Sequence, residues 1–208
     1  MTLEINDEFP EQQVKKEAIK LGIYLGILSL VIGIVSMFVL AATTNFTVTS
    51  ALLTGFTVLF SIGISAYFAI QLRKTAGGFW TFSQALKSIV IMFTISVVLS
   101  SVGTAIFNVV MPEQQQIIFD KTINFMIESL ESAGASDDVI DKQVADLEKA
   151  RDESREFSIG RLVKGLGVNL IVYFVFALIL AAILKREKPM FLKVDNAGDA
   201  AHPWQENN

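Results

Sequence analysis

Apolar residues are concentrated in four long runs, and the polar residues lie between these runs and at the two ends of the chain. The runs extend over 21–42, 49–72, 89–110 and 162–184, and none of them contains an aspartate or a glutamate. A helix rises about 1.5 Å per residue, so about 20 apolar residues are needed to cross the roughly 30 Å hydrocarbon core of a bilayer. The pattern therefore predicts an all-α, polytopic membrane protein with four transmembrane helices.

The segment between the third and fourth runs, 111–160, is acidic but keeps a helical period. Its apolar residues form two stripes, Phe119, Ile123, Met126, Ile127 and Leu130, followed by Ile140, Val144 and Leu147. Pro112 suits the first turn of a helix, Gly134 suits its end, and Ser136 is a good N-cap for a second helix. The segment is therefore predicted to be an extramembrane hairpin of two amphipathic helices, packed against each other or against the membrane domain.

The third span is preceded by a glycine pair and two aromatic residues. Thr81 followed three residues later by Gln84 predicts a capping box, in which each side chain bonds a backbone N–H at the helix start. The stretch 79–88 is predicted to begin this helix at the membrane interface, with Trp80 as an anchor among the lipid headgroups. Spans one to three then occupy 21–110.

The remaining segments set the expected orientation. Residues 1–20 are charged and precede the first span, the fourth span occupies 161–188, and the tail 189–208 lacks periodicity and is expected to be disordered. Ten basic residues flank the spans on the side of the termini and six lie on the other side. This bias favours termini that are both cytoplasmic and a hairpin on the outer side of the membrane.

Composition removes several classes of function. The net charge is −4, which argues against nucleic acid as a partner. The chain has no cysteine, and its one histidine, His202, lies in the tail, so neither a metal site nor a bound cofactor is expected. The spans offer serines without an acid or a histidine beside them, so the protein is not expected to be an enzyme.

Two amides are the most polar groups inside the spans. Asn108 lies near the outer end of the third span and Asn169 in the outer half of the fourth, at similar depth. Two interpretations remain open. The amides form hydrogen bonds between helices, or they line a small cavity that faces outward.

Small residues recur at four-residue spacing in the first and third spans. Gly22 and Gly26 form one pair, and Ser96 and Ser100 form the other. Such pairs let helix backbones approach closely. They predict either packing inside the bundle or contact with a second copy of the chain.

The layout also resembles a known family. The stretch from Gly78 to Lys87, a proline just past the third span, a helical insert and a Lys-Arg pair after the fourth span are similar to those of a family of small inner-membrane proteins of Gram-negative bacteria, whose domain has no known function. The resemblance covers residues 15–190. It implies a location in the cell inner membrane and no catalytic residue.

These observations favour a non-enzymatic accessory or scaffolding subunit. Its expected partners are membrane lipids and another membrane or envelope protein that contacts the hairpin, and a homodimer is an open alternative. The alternative function is that of a small transporter or lipid-handling protein with an outward-facing cavity.

Overall fold

The computed structural model describes residues 10–155 and 159–187 of the chain. These residues form six helices: α1 (Glu11–Ala42), α2 (Phe46–Thr75), α3 (Phe82–Val110), α4 (Pro112–Ser132), α5 (Asp137–Arg155) and α6 (Ile159–Leu184). Helices α1, α2, α3 and α6 are long and apolar enough to cross a membrane. The predicted fold class is therefore confirmed. The tail that the sequence predicts to be disordered, 189–208, lies outside the described residues.

Local hydrogen bonds define the starts of two spans. At α3, the backbone N–H of Gln84 donates to the Thr81 hydroxyl at 3.4 Å, and the backbone N–H of Thr81 donates to the side-chain carbonyl of Gln84 at 2.8 Å. The predicted capping box is therefore confirmed. At α2, the side chain of Asn45 accepts from the Val48 amide at 3.2 Å, so this asparagine stabilises the turn between α1 and α2 as an N-cap.

Glycines with positive φ end two helices. Gly77, with φ of 83°, follows α2, and the Gly78 amide reaches back to the Arg73 carbonyl at 2.9 Å. Gly134, with φ of 74°, follows α4, and the Ala135 amide reaches back to the Leu130 carbonyl at 3.0 Å. Both ends are Schellman motifs, which require a left-handed residue that glycine supplies without steric strain. The predicted end of α4 at Gly134 is confirmed.

The buried core of the spans is concentrated in one half of the bundle. Helices α1 and α3 form the most extensive contact, α2 packs on α1, and α6 packs on α3. Among the described residues, the buried positions of the spans lie between the middle of the helices and the end where α1 and α3 begin and α2 and α6 end, which we name the closed end. Five alanines there are 0% exposed: Ala18, Ala69, Ala85, Ala177 and Ala181. Such small side chains allow the four backbones to converge.

The opposite end, which carries α4 and α5, is named the hairpin end. No described residue is buried in 27–42 of α1, 46–64 of α2, 98–110 of α3 or 159–176 of α6. Leu59 of α2 and Ile171 of α6 are 73% and 67% exposed. Toward the hairpin end α1 and α3 remain in contact, with the rings of Phe38 and Phe107 5.9 Å apart between centroids, whereas much of the apolar surface of α2 and α6 is exposed.

Candidate functional site

The glycine pair of α1 lies directly against α3. A Cβ atom added to Gly22 would lie 2.6 Å from the Met92 carbonyl oxygen, and one added to Gly26 would lie 3.1 Å from the Ser96 carbonyl oxygen. Both glycines are buried inside the chain's own bundle. Ser96 is 4% exposed in the same interface, and the half-buried Ser100 donates to the Val97 carbonyl at 3.3 Å. Both glycines therefore pack against α3 of the same chain.

Trp80 differs from the anchor that the sequence predicts. Its side chain is only 2% exposed, so the ring lies inside the protein and does not reach the lipid headgroups. The indole N–H donates to the Leu184 carbonyl at 2.9 Å, at the end of α6. The Trp80 and Arg186 backbones also exchange two hydrogen bonds, of 2.8 and 3.1 Å. The end of α6 lies beside the start of α3, and the indole N–H bonds one of the terminal carbonyls that have no partner within α6.

The two intramembrane amides occupy different environments. The Oδ1 atom of Asn108 is buried and has no hydrogen-bond partner among the described residues. Asn169 is exposed on α6. No hydrogen bond joins the two side chains, and they do not lie at similar depth, since Asn108 is two residues from the hairpin end of α3 and Asn169 is ten residues from the hairpin end of α6. The register between α3 and α6 and the direction of each side chain could not be predicted from the sequence.

A shallow pocket lies between α3 and α6. It is lined by Val90, Phe93, Thr94, Leu170, Tyr173 and Phe174. Its volume of about 10 Å³ is close to that needed for a single water molecule. Aromatic contacts close it on one side, with Phe93 5.3 Å from Tyr173 and 5.6 Å from Phe176 between ring centroids. This pocket is too small for a lipid or a metabolite.

The hairpin is docked on the membrane domain through α4. The ammonium group of Lys121 donates to three carbonyls at the end of α1, those of Leu40 at 3.2 Å, Ala41 at 2.7 Å and Thr43 at 2.5 Å. One turn further along α4, the ring of Phe125 packs on Phe46 at the start of α2, with centroids 6.0 Å apart. A cation at a helix C-terminus is favourable because it satisfies unpaired carbonyls and opposes the helix dipole.

This docking face of α4 was not predicted from the sequence. Lys121 and Phe125 lie on the side of α4 roughly opposite to Phe119 and Ile123, since two residues turn a helix by about 200°. The sequence analysis identified only the stripe that contains Phe119. A second apolar stripe with a single lysine in register, Ile118, Lys121 and Phe125, was the available signal.

Among the described helices, α5 packs on α4 alone. Its half-buried positions are Ile140, Val144, Leu147 and Arg151. This is the predicted apolar stripe, extended by one arginine that lies 3.6 Å from Asp120 of α4. The other residues of 137–152 are exposed and include most of the acidic side chains of α5. Within the described residues, no group of acidic and histidine side chains has the geometry of a metal site.

Comparison with known families decides the classification. A family model described as "Protein of unknown function (DUF4199)" matches residues 20–186. The chain belongs to this family. The match spans all four transmembrane helices and the hairpin, so the membrane domain and its extramembrane insert form one family unit. Searches of curated proteins and of solved structures gave no match.

Substitution of Lys121 tests the docking of the hairpin. Lys121→Met keeps the length of the side chain but removes the three hydrogen bonds to α1, which we expect to weaken docking by about 1 to 2 kcal/mol. Amide hydrogen exchange should then become roughly tenfold faster over the α1–α2 turn and in α4. Lys142→Met, on the exposed face of α5, is the matched control and should leave these amides unchanged. Equal exchange in the two variants would show that Lys121 does not hold the hairpin.

Proposed function

We propose that this protein is a non-enzymatic accessory or scaffolding subunit whose hairpin contacts another membrane or envelope protein. The observation that carries the proposal is the packing of the hairpin on the membrane domain. One face of α4 is fixed to α1 and α2 through Lys121 and Phe125, and α5 packs on α4 alone. The outer face of α5 is thereby held in a fixed position without being covered by the rest of the described chain.

A fixed surface suits protein binding for an energetic reason. Association costs free energy for each loop or side chain that must become ordered, so a surface that is ordered before binding loses less. The docking bonds of Lys121 and the ion pair between Arg151 and Asp120 both restrict the hairpin in the absence of a partner. A slack connector of the same length would not have this advantage.

The negative charge of α5 favours a partner with a basic surface. Asp137, Asp141 and Glu148 are exposed and are separated by four and seven residues, which places them on one flank of the helix. Negative side chains on a common flank favour a partner with a basic surface and accelerate their encounter. The proposed partner is therefore a protein that presents lysines or arginines at the height of the hairpin.

The test compares two neutralised hairpins. Asp137→Asn/Asp141→Asn/Glu148→Gln removes three charges from α5, and Glu113→Gln/Glu128→Gln/Glu131→Gln removes three from exposed positions of α4. After affinity purification in mild detergent, a protein retained by the wild type and the α4 variant should be reduced at least tenfold with the α5 variant, at about 1 kcal/mol per lost contact. Recovery of this chain alone, with no phenotype on deletion of the hairpin, would count against the proposal.

We infer that the protein lies in the cell inner membrane of a Gram-negative bacterium with both termini in the cytoplasm. The sequence resemblance supports the location, and the excess of basic residues at the closed end supports the orientation. The absence of cysteine makes labelling simple. A membrane-impermeant maleimide should label Lys142→Cys and not Lys87→Cys once the outer membrane is permeabilised. The reverse pattern would invert the topology.

A second candidate function is lipid handling or small-molecule transport. The exposed apolar surface of α2 and α6 toward the hairpin end and the side-chain carbonyl of Asn108, which has no hydrogen-bond partner among the described residues, favour it. In proteoliposomes, this function predicts protein-dependent movement of a fluorescent phospholipid between leaflets that Asn108→Leu reduces. If lipid movement equals that of empty vesicles, the scaffolding role stands alone.

A further inference from the structure

The fold brings basic side chains from three separate segments to the closed end. Arg73 and Lys74 lie in the last turn of α2, Lys87 lies in the second turn of α3, and Lys185 and Arg186 follow α6. These five residues are named the basic patch. The backbone hydrogen bonds between Trp80 and Arg186 hold the end of α6 beside the start of α3. The patch is therefore produced by the fold and not by one run of charges.

The side chains of the patch are largely exposed and form no ion pair within 10–155 and 159–187. Lys74, Lys87, Lys185 and Arg186 are exposed, and Arg73 is half-buried. Among the residues that the structure describes, no acidic side chain forms an ion pair with any member of the patch. The lysine on the neighbouring α1 differs in this respect, because Lys20 lies 3.3 Å from Glu17. Exposed Glu187 follows the patch in sequence, so within the described residues the patch keeps an excess of positive charge.

The patch also lies at a defined depth. Arg73 follows the apolar part of α2, and Lys185 comes directly after the apolar part of α6, so both lie where a hydrocarbon core ends. The guanidinium of Arg186 lies 5.3 Å from the centroid of the Phe79 ring, a cation–π contact between the end of α6 and the segment before α3. Phosphate groups of phospholipids occupy this depth in a bilayer.

We propose that the basic patch is a binding surface for anionic phospholipid headgroups. Charge complementarity selects this occupant, because zwitterionic lipids offer no net negative charge to the five cations. The hairpin end shows the opposite character. It is acidic, and Lys121 there is already engaged with backbone carbonyls. The two ends of the protein are therefore expected to differ in the lipids that they retain.

The experiment uses two triple variants with the same change in charge. Lys74→Gln/Lys87→Gln/Lys185→Gln alters the patch, and Lys142→Gln/Lys149→Gln/Lys164→Gln alters exposed lysines outside the closed end. The full chain in neutral detergent is titrated with phosphatidylglycerol or with phosphatidylcholine of the same acyl chains, and bound lipid is counted by native mass spectrometry. The wild type and the second variant should prefer phosphatidylglycerol, whereas the patch variant should lose this preference by about tenfold or more.

Two results would overturn the proposal. One is equal retention of the two lipids by the wild type at low salt. The other is an equal loss of preference in both triple variants, which would trace the effect to net charge alone. Far-ultraviolet circular dichroism and melting in the neutral detergent should be unchanged in both variants, since the substituted lysines are exposed. If the patch variant is misfolded by these measures, the single Lys185→Gln variant replaces it and should give a smaller loss in the same direction.

Discussion

Replacement of Gly22 by alanine is expected to destabilise the membrane domain by about 1 to 3 kcal/mol, the usual range for forcing an additional methyl group into a packed core. The added Cβ would lie 2.6 Å from the Met92 carbonyl oxygen and 2.9 Å from the Ile95 Cβ. Neither of these is the end of a flexible side chain, so α1 and α3 must move apart. Because this pair forms the most extensive helix contact in the fold, the change should lower the unfolding midpoint in a detergent denaturation series.

Gly33→Ala is the matched control for this experiment. Gly33 lies on the same helix, three turns beyond Gly22, and a Cβ atom added there would have no neighbour within 4 Å. Alanine favours a helix over glycine by about 1 kcal/mol, so this variant should be as stable as the wild type or more stable. Opposite changes in the unfolding midpoint for the two glycine-to-alanine substitutions would show that the close contact with α3 lies at Gly22. Equal midpoints for the two variants would contradict the geometry of the α1–α3 pair.

Replacement of Trp80 by alanine is expected to have the largest effect, a loss of about 3 to 5 kcal/mol, typical of removing a buried aromatic side chain. The ring is among the largest fully buried side chains, and its N–H satisfies the Leu184 carbonyl at 2.9 Å. Its removal leaves a cavity at the closed end and an unpaired carbonyl at the end of α6. Thermal unfolding followed by circular dichroism should show a markedly lower midpoint.

Two further variants separate the causes of this loss. Trp80→Phe keeps most of the ring but removes the hydrogen bond, and should therefore lose only about 1 to 2 kcal/mol. Phe82→Ala removes an aromatic ring two residues away that is 38% exposed, and should have a small effect. If Trp80→Ala melts no earlier than Phe82→Ala, the tryptophan does not join α3 to α6.

Features that depend on neighbouring residues were predicted well from the sequence. The capping box of Thr81 and Gln84, the end of α4 at Gly134 and the four spans each follow from residues within a few positions of one another. Trp80 shows the limit of such reasoning. Its bonding partner Leu184 is 104 residues away, so an aromatic residue before a span was interpreted as a lipid anchor when it is a helix-to-helix connection.

The direction of side chains around a helix axis explains the other differences. The similar depth predicted for Asn108 and Asn169 differs from the structure, because it depends on the register between α3 and α6. Burial of the Asn108 carbonyl and exposure of Asn169 depend on which neighbour each helix face meets. The docking role of Lys121 was missed for the same reason, since the end of α1 that it contacts is 78 to 81 residues away.

The connection between Trp80 and Leu184 has a consequence for synthesis of the protein. Ribosomes deliver α1, α2 and α3 to the membrane first, and the closed end then lacks Ala177, Leu180 and Ala181 of α6. Until the last span is inserted, the indole N–H of Trp80 lacks its Leu184 acceptor, and the surrounding alanines do not yet pack against α6. The nascent chain therefore completes its core only after α6 has been translated and inserted, and a chain shortened before Leu184 would expose an incomplete core to quality-control proteases.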